Sequence, residues 1–242
     1  MNLILDLGNT TIKYAIFAND NIRYKNTWNR ININDLKKLM NEYPRIQKAI
    51  ISSVIDYSSE VLDYLKNILD YCIELDKNTD LPIENLYQSK DTLGYDRIAD
   101  VVGAAYKFPR KNILVIDSGT AITYDLINSN GQYLGGAISP GADMRVKALN
   151  KFAAKLPLVD LSDNWSFPEK TTEEAIISGV LSGIVYEIDG YIVDLKHNYP
   201  DLTTVLTGGN LKLFDKKLKS IIFVDSNLNL YGLNRILEYN AK

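Results

Sequence analysis

Apolar runs that stop at a glycine and then resume are the clearest pattern along this chain. One run is interrupted at Gly8 and another at Gly119. The flanking segments are residues 3–7 and 12–17 in the first case, and residues 114–116 and 122–127 in the second. An apolar run that breaks at glycine and resumes predicts two strands joined by a tight turn, a β-hairpin. A further strand is predicted after each hairpin, at residues 22–28 and 132–138.

Downstream of these strands the apolar spacing becomes one that is typical of helices. After Ser58 the apolar residues Val61, Leu62 and Leu65 recur at the spacing that gives a helix one buried face. Ser58 is itself a favoured N-cap residue. Helices are predicted at residues 35–43, from Ser58, and at 96–108, 172–197 and 228–239, with strands at 49–52, 71–75, 203–206 and 221–223.

Strands followed by alternating helices and strands, twice over, predict an α/β protein with two domains. Each sheet is expected to be mixed, because its opening hairpin is antiparallel. Residues 109–112 are a plausible linker, so the domains are predicted at residues 1–110 and 111–242. A length of 242 residues agrees with two domains, since single domains are usually shorter.

Charge and composition narrow the functional classes. The formal net charge is −3 and no basic block occurs, so we expect no nucleic-acid binding. No apolar run approaches the roughly 20 residues that span a bilayer, so we expect no membrane association. Cys72 is the single cysteine and no signal-like segment precedes the first strand. These features predict a cytoplasmic protein.

The single histidine limits the chemistry further. His197 lies near the end of a predicted helix, where a solvated residue complementing the helix dipole is expected. Ser-His-Asp, Cys-His and multi-histidine zinc sites are therefore excluded within this sequence. Any acid-base catalysis must come from carboxylates.

Both predicted hairpins carry Asp-x-Gly followed by threonine at the turn. The residues are Asp6, Gly8 and Thr10 in the first copy, and Asp117, Gly119 and Thr120 in the second. A tight turn directs backbone N–H groups into one concavity that can hold an anion, and glycine lets a phosphate approach the main chain. Either aspartate could hold Mg²⁺ or another cation. A single copy is usually only a turn, whereas two copies favour a phosphate site and phosphoryl transfer.

The sequence Gly94-Tyr95-Asp96-Arg97 opens a predicted helix and has two interpretations. In one, Asp96 is an N-cap and Arg97 is a solvated residue of the first turn. In the other, Asp96 takes a proton from a hydroxyl group and Arg97 grips a carboxylate through its planar fork. The second interpretation describes a site for an acceptor that carries both groups.

Four later stretches also have both structural and functional interpretations. The glycine-rich residues 135–141 could line a cleft or form a bend, and residues 205–210 could approach a nucleotide or form a strand-to-helix turn. Residues 171–174 have the spacing of a capping box. Small residues within 178–183 permit close helix packing, either in the core or, as we slightly favour, against a second subunit.

In their order and spacing, these motifs resemble those of the type III pantothenate kinases, over essentially the whole chain. The motifs are Asp6-Leu7-Gly8-Asn9-Thr10, Gly94-Tyr95-Asp96-Arg97, Asp117-Ser118-Gly119-Thr120-Ala121, Gly135-Gly136 through Pro140-Gly141, and Thr172 with Ala175, Ser178 and Gly179. The fold of that family is like that of the acetate kinase, sugar kinase, Hsp70 and actin superfamily. The resemblance implies two ribonuclease-H-like (actin-like ATPase) domains, each a mixed sheet flanked by helices, with a cleft between them.

The resemblance also implies an activity and a set of partners. The activity is ATP-dependent phosphorylation of pantothenate to 4'-phosphopantothenate, the first step of coenzyme A biosynthesis, by a homodimer that uses Mg²⁺ and K⁺ or NH₄⁺. Asp96 matches the catalytic base, and Asp117 matches the ligand of the monovalent cation. The matched ATP contacts are Asp6, Leu7, Gly8, Asn9, Thr10, Thr11, Ile12, Lys13 and Thr120. The matched pantothenate contacts are Tyr87, Gly94, Tyr95, Asp96, Arg97 and Thr172, the last of which the family often supplies across the dimer interface.

Two positions depart from the family pattern. Thr171 stands where asparagine is usual, and Tyr87-Gln88-Ser89-Lys90 stands where Tyr-x-Asn-Pro is usual. Two other functions stay open from the residues: a kinase for another small hydroxy acid or sugar, and a non-catalytic transcription-accessory regulator on the same fold.

Overall fold

Each half of the chain builds a sheet around the hairpin with which it begins. The computed structural model describes residues 1–9, 11–214, 217–220 and 222–241. Within these residues the chain forms two compact units, one made of Met1–Lys107 with the segment that begins at Asn227, the other of Phe108–Ser226.

The strands and helices are numbered here in chain order. The strands are β1 (Asn2–Leu7), β2 (Ile12–Ala18), β3 (Asn21–Trp28), β4 (Lys48–Ser53), β5 (Tyr71–Glu74), β6 (Glu84–Asn85), β7 (Ile113–Ser118), β8 (Ala121–Ile127), β9 (Gln132–Pro140), β10 (Thr203–Thr207) and β11 (Phe223–Val224). The helices are α1 (Ile33–Glu42), α2 (Ser59–Ile68), α3 (Tyr95–Lys107), α4 (Ala142–Phe152), α5 (Thr172–Asn198), α6 (Leu211–Phe214) and α7 (Leu228–Asn240), with a 3-10 turn at Lys90–Thr92.

The sheet of the first unit has the order β3-β2-β1-β4-β5. Its hairpin strands are antiparallel, whereas β4 runs parallel to β1 and β5 runs parallel to β4. Leu3, Leu5 and Leu7 of β1 are fully buried in a core that also contains Leu36 of α1 and Leu65 of α2. The strand is therefore covered, which fixes the directions of the side chains between these leucines.

The second unit repeats this plan. Strands β7, β8 and β9 are antiparallel neighbours, while β10 lies parallel to β7 and β11 lies parallel to β10. The core packs Leu114 and Ile116 of β7 against Leu181, Ile184 and Ile188 of α5. Each unit thus has a mixed sheet that begins with an antiparallel hairpin, and the predicted fold class is confirmed.

Helix α5, with 27 residues, is the longest helix of the described chain and is strongly apolar. Its length and composition alone would permit it to cross a membrane. Half of its most apolar window is buried, however, and its inward residues belong to the core of the second unit. Such burial is typical of the central helix of a globular domain.

Most elements lie where the hydrophobic pattern predicts them. The predicted helices at 35–43, 96–108, 172–197 and 228–239 differ from α1, α3, α5 and α7 by one or two residues at an end. Ser58 caps α2 as expected and accepts a hydrogen bond from the N–H of Glu60. Residue 221 of the predicted strand 221–223 lies outside the described residues, and β11 covers Phe223–Val224. The hydrophobic pattern does not predict β6, α4 or α6.

The compact units differ from the predicted division at residue 110 in one respect. Helix α7 belongs to the first unit, because it packs directly on α3. A Cβ on Gly232 of α7 would lie only 1.7 Å from the carbonyl oxygen of Ala99, and a Cβ on Gly103 of α3 would lie 2.3 Å from the carbonyl oxygen of Leu228. The predicted domains, residues 1–110 and 111–242, stay a prediction.

Replacement of Gly232 by alanine tests how closely α3 and α7 must approach. The added methyl group collides with backbone, so we expect Gly232→Ala to lower the free energy of unfolding by roughly 2–3 kcal/mol in urea titrations. Gly190→Ala in α5 is the matched control, because its Cβ would meet no atom within 4 Å. The control should be neutral or stabilising by up to about 1 kcal/mol. Equal effects of the two substitutions would contradict the close contact.

Candidate functional site

The first predicted phosphate loop joins β1 to β2. Asp6 lies at the end of β1 and is the cross-strand partner of Lys13 on β2. A Cβ on Gly8 would lie 3.0 Å from the carbonyl oxygen of Thr11, so the turn has little room for a larger residue. Asn9 is exposed, and Thr10 lies outside the described residues.

Two of the matched ATP contacts have buried side chains. Leu7 is fully buried and Ile12 nearly so, both within the core of the first unit. They can reach a ligand at the turn only through their backbone groups. The side chains of Thr11 and Lys13 are partly exposed.

Asp6 is the carboxyl group of this loop, and its pKa is shifted from the usual value. Burial raises its pKa from the usual 3.8 to about 6, the positive charge of Lys13 opposes the rise, and the negative charge of Asp96 adds to it. Lys13 and Asp96 are therefore both close enough to Asp6 to influence its charge. Such perturbed groups are concentrated at functional sites, although structural ion pairs produce them too.

The Gly94–Arg97 motif lies at the first turn of α3. The carboxylate oxygen Oδ1 of Asp96 accepts a hydrogen bond of 2.8 Å from the N–H of Arg97. A Cβ on Gly94 would lie 2.4 Å from the same oxygen. Any larger residue at position 94 would displace the Asp96 carboxylate, which gives the glycine a physical reason. Gly94, Tyr95 and Asp96 all remain partly exposed.

Arg97 is buried rather than solvated. Only 5% of the residue is exposed, and its guanidinium group lies over the ring of Tyr87 at 5.4 Å from the centroid. The N–H of Tyr87 donates to Oδ1 of Asn85 at 3.0 Å, which holds the segment that lacks Asn-Pro. The interpretation of Arg97 as a solvated residue is therefore wrong, because its cation is stacked on an aromatic ring. The interpretation of Asp96 as an N-cap is also wrong, since α3 begins at Tyr95.

The second hairpin turn lies in the other unit, between β7 and β8. Asp117 is the last residue but one of β7, and Thr120 is exposed at the turn. The predicted glycine pair after β10 packs against this turn: the backbone N–H of Asn210 donates to the carbonyl oxygen of Ser118 at 3.0 Å, and its side chain donates to that of Gly119 at 3.3 Å. The segment 205–210 therefore supports the hairpin directly.

Gly208 leaves a small cradle beside Asp117. Its φ of +103° suits glycine. A Cβ there would lie 2.3 Å from Oδ1 of Asp117 and 2.5 Å from the carbonyl oxygen of Ser118. Carboxylate and carbonyl oxygens of this kind suit a hard cation. Among the described residues, no group of three or more histidine, cysteine, aspartate or glutamate side chains forms a metal-binding cluster.

The glycine-rich strand β9 ends against the same turn. The N–H of Gly141 donates to the carbonyl oxygen of Thr120 at 3.2 Å, and a Cβ on Gly141 would lie 2.2 Å from that oxygen. Residues 135–141 thus pair with the hairpin strand β8 and pack on its turn.

Thr172 lies in the second unit, as the first residue of α5. Thr171 is the N-cap, and its hydroxyl oxygen accepts a hydrogen bond of 3.3 Å from the N–H of Glu174. Thr172 itself is exposed. The structure thus groups Asp6, Lys13 and Asp96 in one unit with the Tyr87–Arg97 pair, while Asp117, Thr120 and Thr172 belong to the other.

The raised pKa of Asp6 predicts that its charge lowers stability near neutral pH. Below about pH 4 Asp6 is protonated in both the folded and the unfolded chain. Above the folded pKa its carboxylate must ionise in a partly buried position. We therefore expect Asp6→Asn to raise the free energy of unfolding by about 2–3 kcal/mol at pH 8. The gain should shrink as the pH falls through 6 and vanish near pH 4. Urea titrations across this range measure it.

Asp163→Asn is the control for the Asp6 experiment, because Asp163 is exposed. Its effect on stability should be small at every pH, since exposed charges are well solvated. A stabilisation by Asp6→Asn that does not change with pH would contradict the assigned cause.

Comparison with known proteins places this architecture in a family. The sequence model described as type III pantothenate kinase matches residues 2–194. A type III pantothenate kinase of Bacteroides fragilis (strain YCH46) is 49% identical over 240 residues, covering 99% of this chain and 98% of the relative.

Solved structures agree with the fold. A Campylobacter jejuni protein assigned to the Baf family of transcriptional activators has a TM-score of 0.62 and 26% identity, with 99% of this chain and 98% of that chain covered. A ROK family protein from Streptococcus pneumoniae TIGR4 has a TM-score of 0.51 at 14% identity, with coverage of 99% and 100%, and this likeness concerns the fold alone. The family model and the curated relatives, which are named type III pantothenate kinase, do not favour the alternative functions. The predicted family is confirmed: this chain belongs to the type III pantothenate kinases.

Proposed function

We propose that the protein transfers the γ-phosphoryl group of ATP to the primary hydroxyl group of pantothenate, giving 4'-phosphopantothenate and ADP. This is the first step of coenzyme A biosynthesis, and the enzyme is expected to act in the cytoplasm. The observation that carries the proposal is the electrostatic grouping of Asp6, Lys13 and Asp96 in a member of this family.

Asp96 is the proposed general base. Its carboxylate takes the hydroxyl proton while the hydroxyl oxygen forms a bond to the γ-phosphorus, and the bond from that phosphorus to the ADP oxygen breaks. The hydrogen bond from the N–H of Arg97 and the absence of a side chain at Gly94 support a fixed orientation of this carboxylate. A fixed base avoids reorganisation at the moment of transfer.

Arg97 and Tyr87 are the proposed contacts for the acceptor. A guanidinium group presents a planar fork that suits a carboxylate, and stacking on Tyr87 restricts its orientation. Gly94 and Tyr95 complete the acceptor segment on this unit, and Thr172 of the partner subunit is proposed to contribute across the dimer interface.

The ATP phosphates are proposed to bind the turn from Asp6 to Lys13, with Thr120 as a further contact. Backbone N–H groups of the turn and the Lys13 cation neutralise phosphate charge. Asp6 would hold Mg²⁺, directly or through water, and the ion would stabilise charge on the transferring group. Asp117, beside the cradle at Gly208, would hold K⁺ or NH₄⁺.

A homodimer is proposed through the outer face of α5. A Cβ on Gly179 would meet no atom within 4 Å, so this face of the helix is open. Beside it lies an apolar groove of about 870 Å³, whose lining includes Leu149, Phe152 and Thr172. Phe152 is 81% exposed, and a large exposed apolar residue in a groove favours a protein partner.

Replacement of the base tests the mechanism. In an assay of ADP release with pantothenate, Mg²⁺ and K⁺ or NH₄⁺, we expect Asp96→Asn to lower kcat by about 10²–10⁴-fold, because the near-isosteric amide cannot accept the proton. Binding of a nonhydrolysable ATP analogue should change little. Asp91→Asn, at an exposed carboxylate shortly before α3, is the control and should keep full turnover. Full turnover by Asp96→Asn would show that Asp96 is not the base.

Disruption of the groove tests the dimer. We expect Phe152→Asp to convert a dimer into a monomer in sedimentation equilibrium, because a carboxylate in an apolar contact is costly to bury. Ile68→Asp, at an exposed apolar residue of α2, should leave the assembly unchanged. A wild-type protein that sediments as a monomer, or a variant that stays dimeric, would refute this interface.

A further inference from the structure

A partly buried ion pair lies in the second unit beside the turn that carries Thr120. Arg145 is in α4 and Glu187 is in α5, and their side chains meet at 2.5 Å between Nη2 and Oε2. The side chains are only 21% and 26% exposed. Neither residue belongs to the motifs that identify the family.

Both charged groups also make hydrogen bonds to neighbouring strands, Arg145 to β9 and Glu187 to β8. Arg145 donates from Nε to the carbonyl oxygen of Pro140 at 2.8 Å and from Nη2 to the hydroxyl of Ser139 at 3.0 Å. The hydroxyl of Tyr124, on β8, donates to Oε1 of Glu187 at 2.8 Å. Burial alone would raise the pKa of Glu187, but the hydrogen bonds from Arg145, Tyr124 and Ser139 outweigh it and lower the pKa.

The residues held by Arg145 lie directly against the turn. Ser139 and Pro140 pair in register with Ile122 and Ala121, the first residues after Thr120. The next residue, Gly141, donates its N–H to the carbonyl oxygen of Thr120. A displacement of the end of β9 would therefore move the Thr120 turn.

A glycine in helix α5 lets the Arg145 guanidinium group lie close to the helix. A Cβ on Gly183 would lie 3.8 Å from Nη1 of Arg145, so the guanidinium group lies against the helix where no side chain intervenes. Glu187 follows one turn later on the same helix. The ion pair thus ties β8, β9, α4 and α5 together at one point.

We propose that Arg145 and Glu187 are positioning residues that hold the Thr120 turn in the geometry that binds the nucleotide. The inference rests on the proposed contact between Thr120 and ATP. Removal of one charge leaves the other partly buried and unpaired, whereas removal of both leaves no such charge. The two residues should therefore act as a unit rather than additively.

The test compares Arg145→Met, Glu187→Gln and the double variant for binding of a nonhydrolysable ATP analogue by calorimetry, and for steady-state kinetics. Glu187→Gln should weaken analogue binding about tenfold, while KM for pantothenate stays within about twofold. Arg145→Met should weaken analogue binding to the same extent, but its KM for pantothenate can also change, because Arg145 lines the groove that contains Thr172. The double variant should bind no more weakly than the weaker single variant. Lys147→Met, at an exposed lysine of the same helix, should match the wild type.

Conservative variants keep the experiment decisive if Arg145→Met does not fold. Arg145→Lys retains the charge beside Glu187 but loses the fork that reaches Ser139 and Pro140, so analogue binding should recover only in part, to about threefold weaker than in the wild type. Folded variants with wild-type analogue binding, or equal weakening for the analogue and pantothenate in Glu187→Gln, would overturn the proposal. A wild-type protein that binds the analogue but does not phosphorylate pantothenate would refute the proposed function and leave this inference standing.

Discussion

The carboxylate of Asp6 is held where burial opposes its charge, and the first unit is arranged around this constraint. Strand β1 is covered so completely that Leu5 and Leu7, on either side of Asp6, have no exposed surface. The strand therefore fixes the position of the aspartate, and the cross-strand cation of Lys13 offsets part of the cost of its burial. A carboxylate that is desolvated in this way lowers the stability of the free protein, and a bound cation would relieve the cost. Functional sites often trade stability for activity in this manner.

Two glycines make room for the aspartates on which the proposed chemistry depends. At Gly94 the missing side chain leaves room for the Asp96 carboxylate, and at Gly208 it leaves room beside Asp117. In both places a carboxylate oxygen occupies the volume that a Cβ would need. Each glycine thus makes room for the carboxylate of an aspartate that lies two residues away, at Gly94, or on another strand, at Gly208. This role adds to the one usually given to glycine, which is to let a phosphate approach the backbone.

The hydrophobic pattern predicted those parts of the fold that depend on local signals. Both hairpins could be recognised because burial on β1 and β7 produces apolar runs that glycine interrupts. Helix α4 could not, because it buries only Ala142 and Val146 and leaves Met144, Leu149 and Phe152 exposed. Its sequence therefore lacks an amphipathic stripe facing one core, and the preceding glycines suggested a turn. The return of α7 to the first unit escaped prediction because its contact with α3 joins glycines far apart in sequence.

A similar division applies to the candidate site. Asp6 and Lys13 face each other across one hairpin, so local sequence was enough to pair them. The burial of Arg97 was not predicted, because arginine is normally exposed unless it has a partner, and its ring partner Tyr87 lies on a separate segment. The Arg145–Glu187 pair was the hardest feature to predict, since an arginine or a glutamate on a helix is normally solvated. A buried charge is tolerated only where the fold supplies its partner, so these residues become visible only when the elements that carry them are brought together.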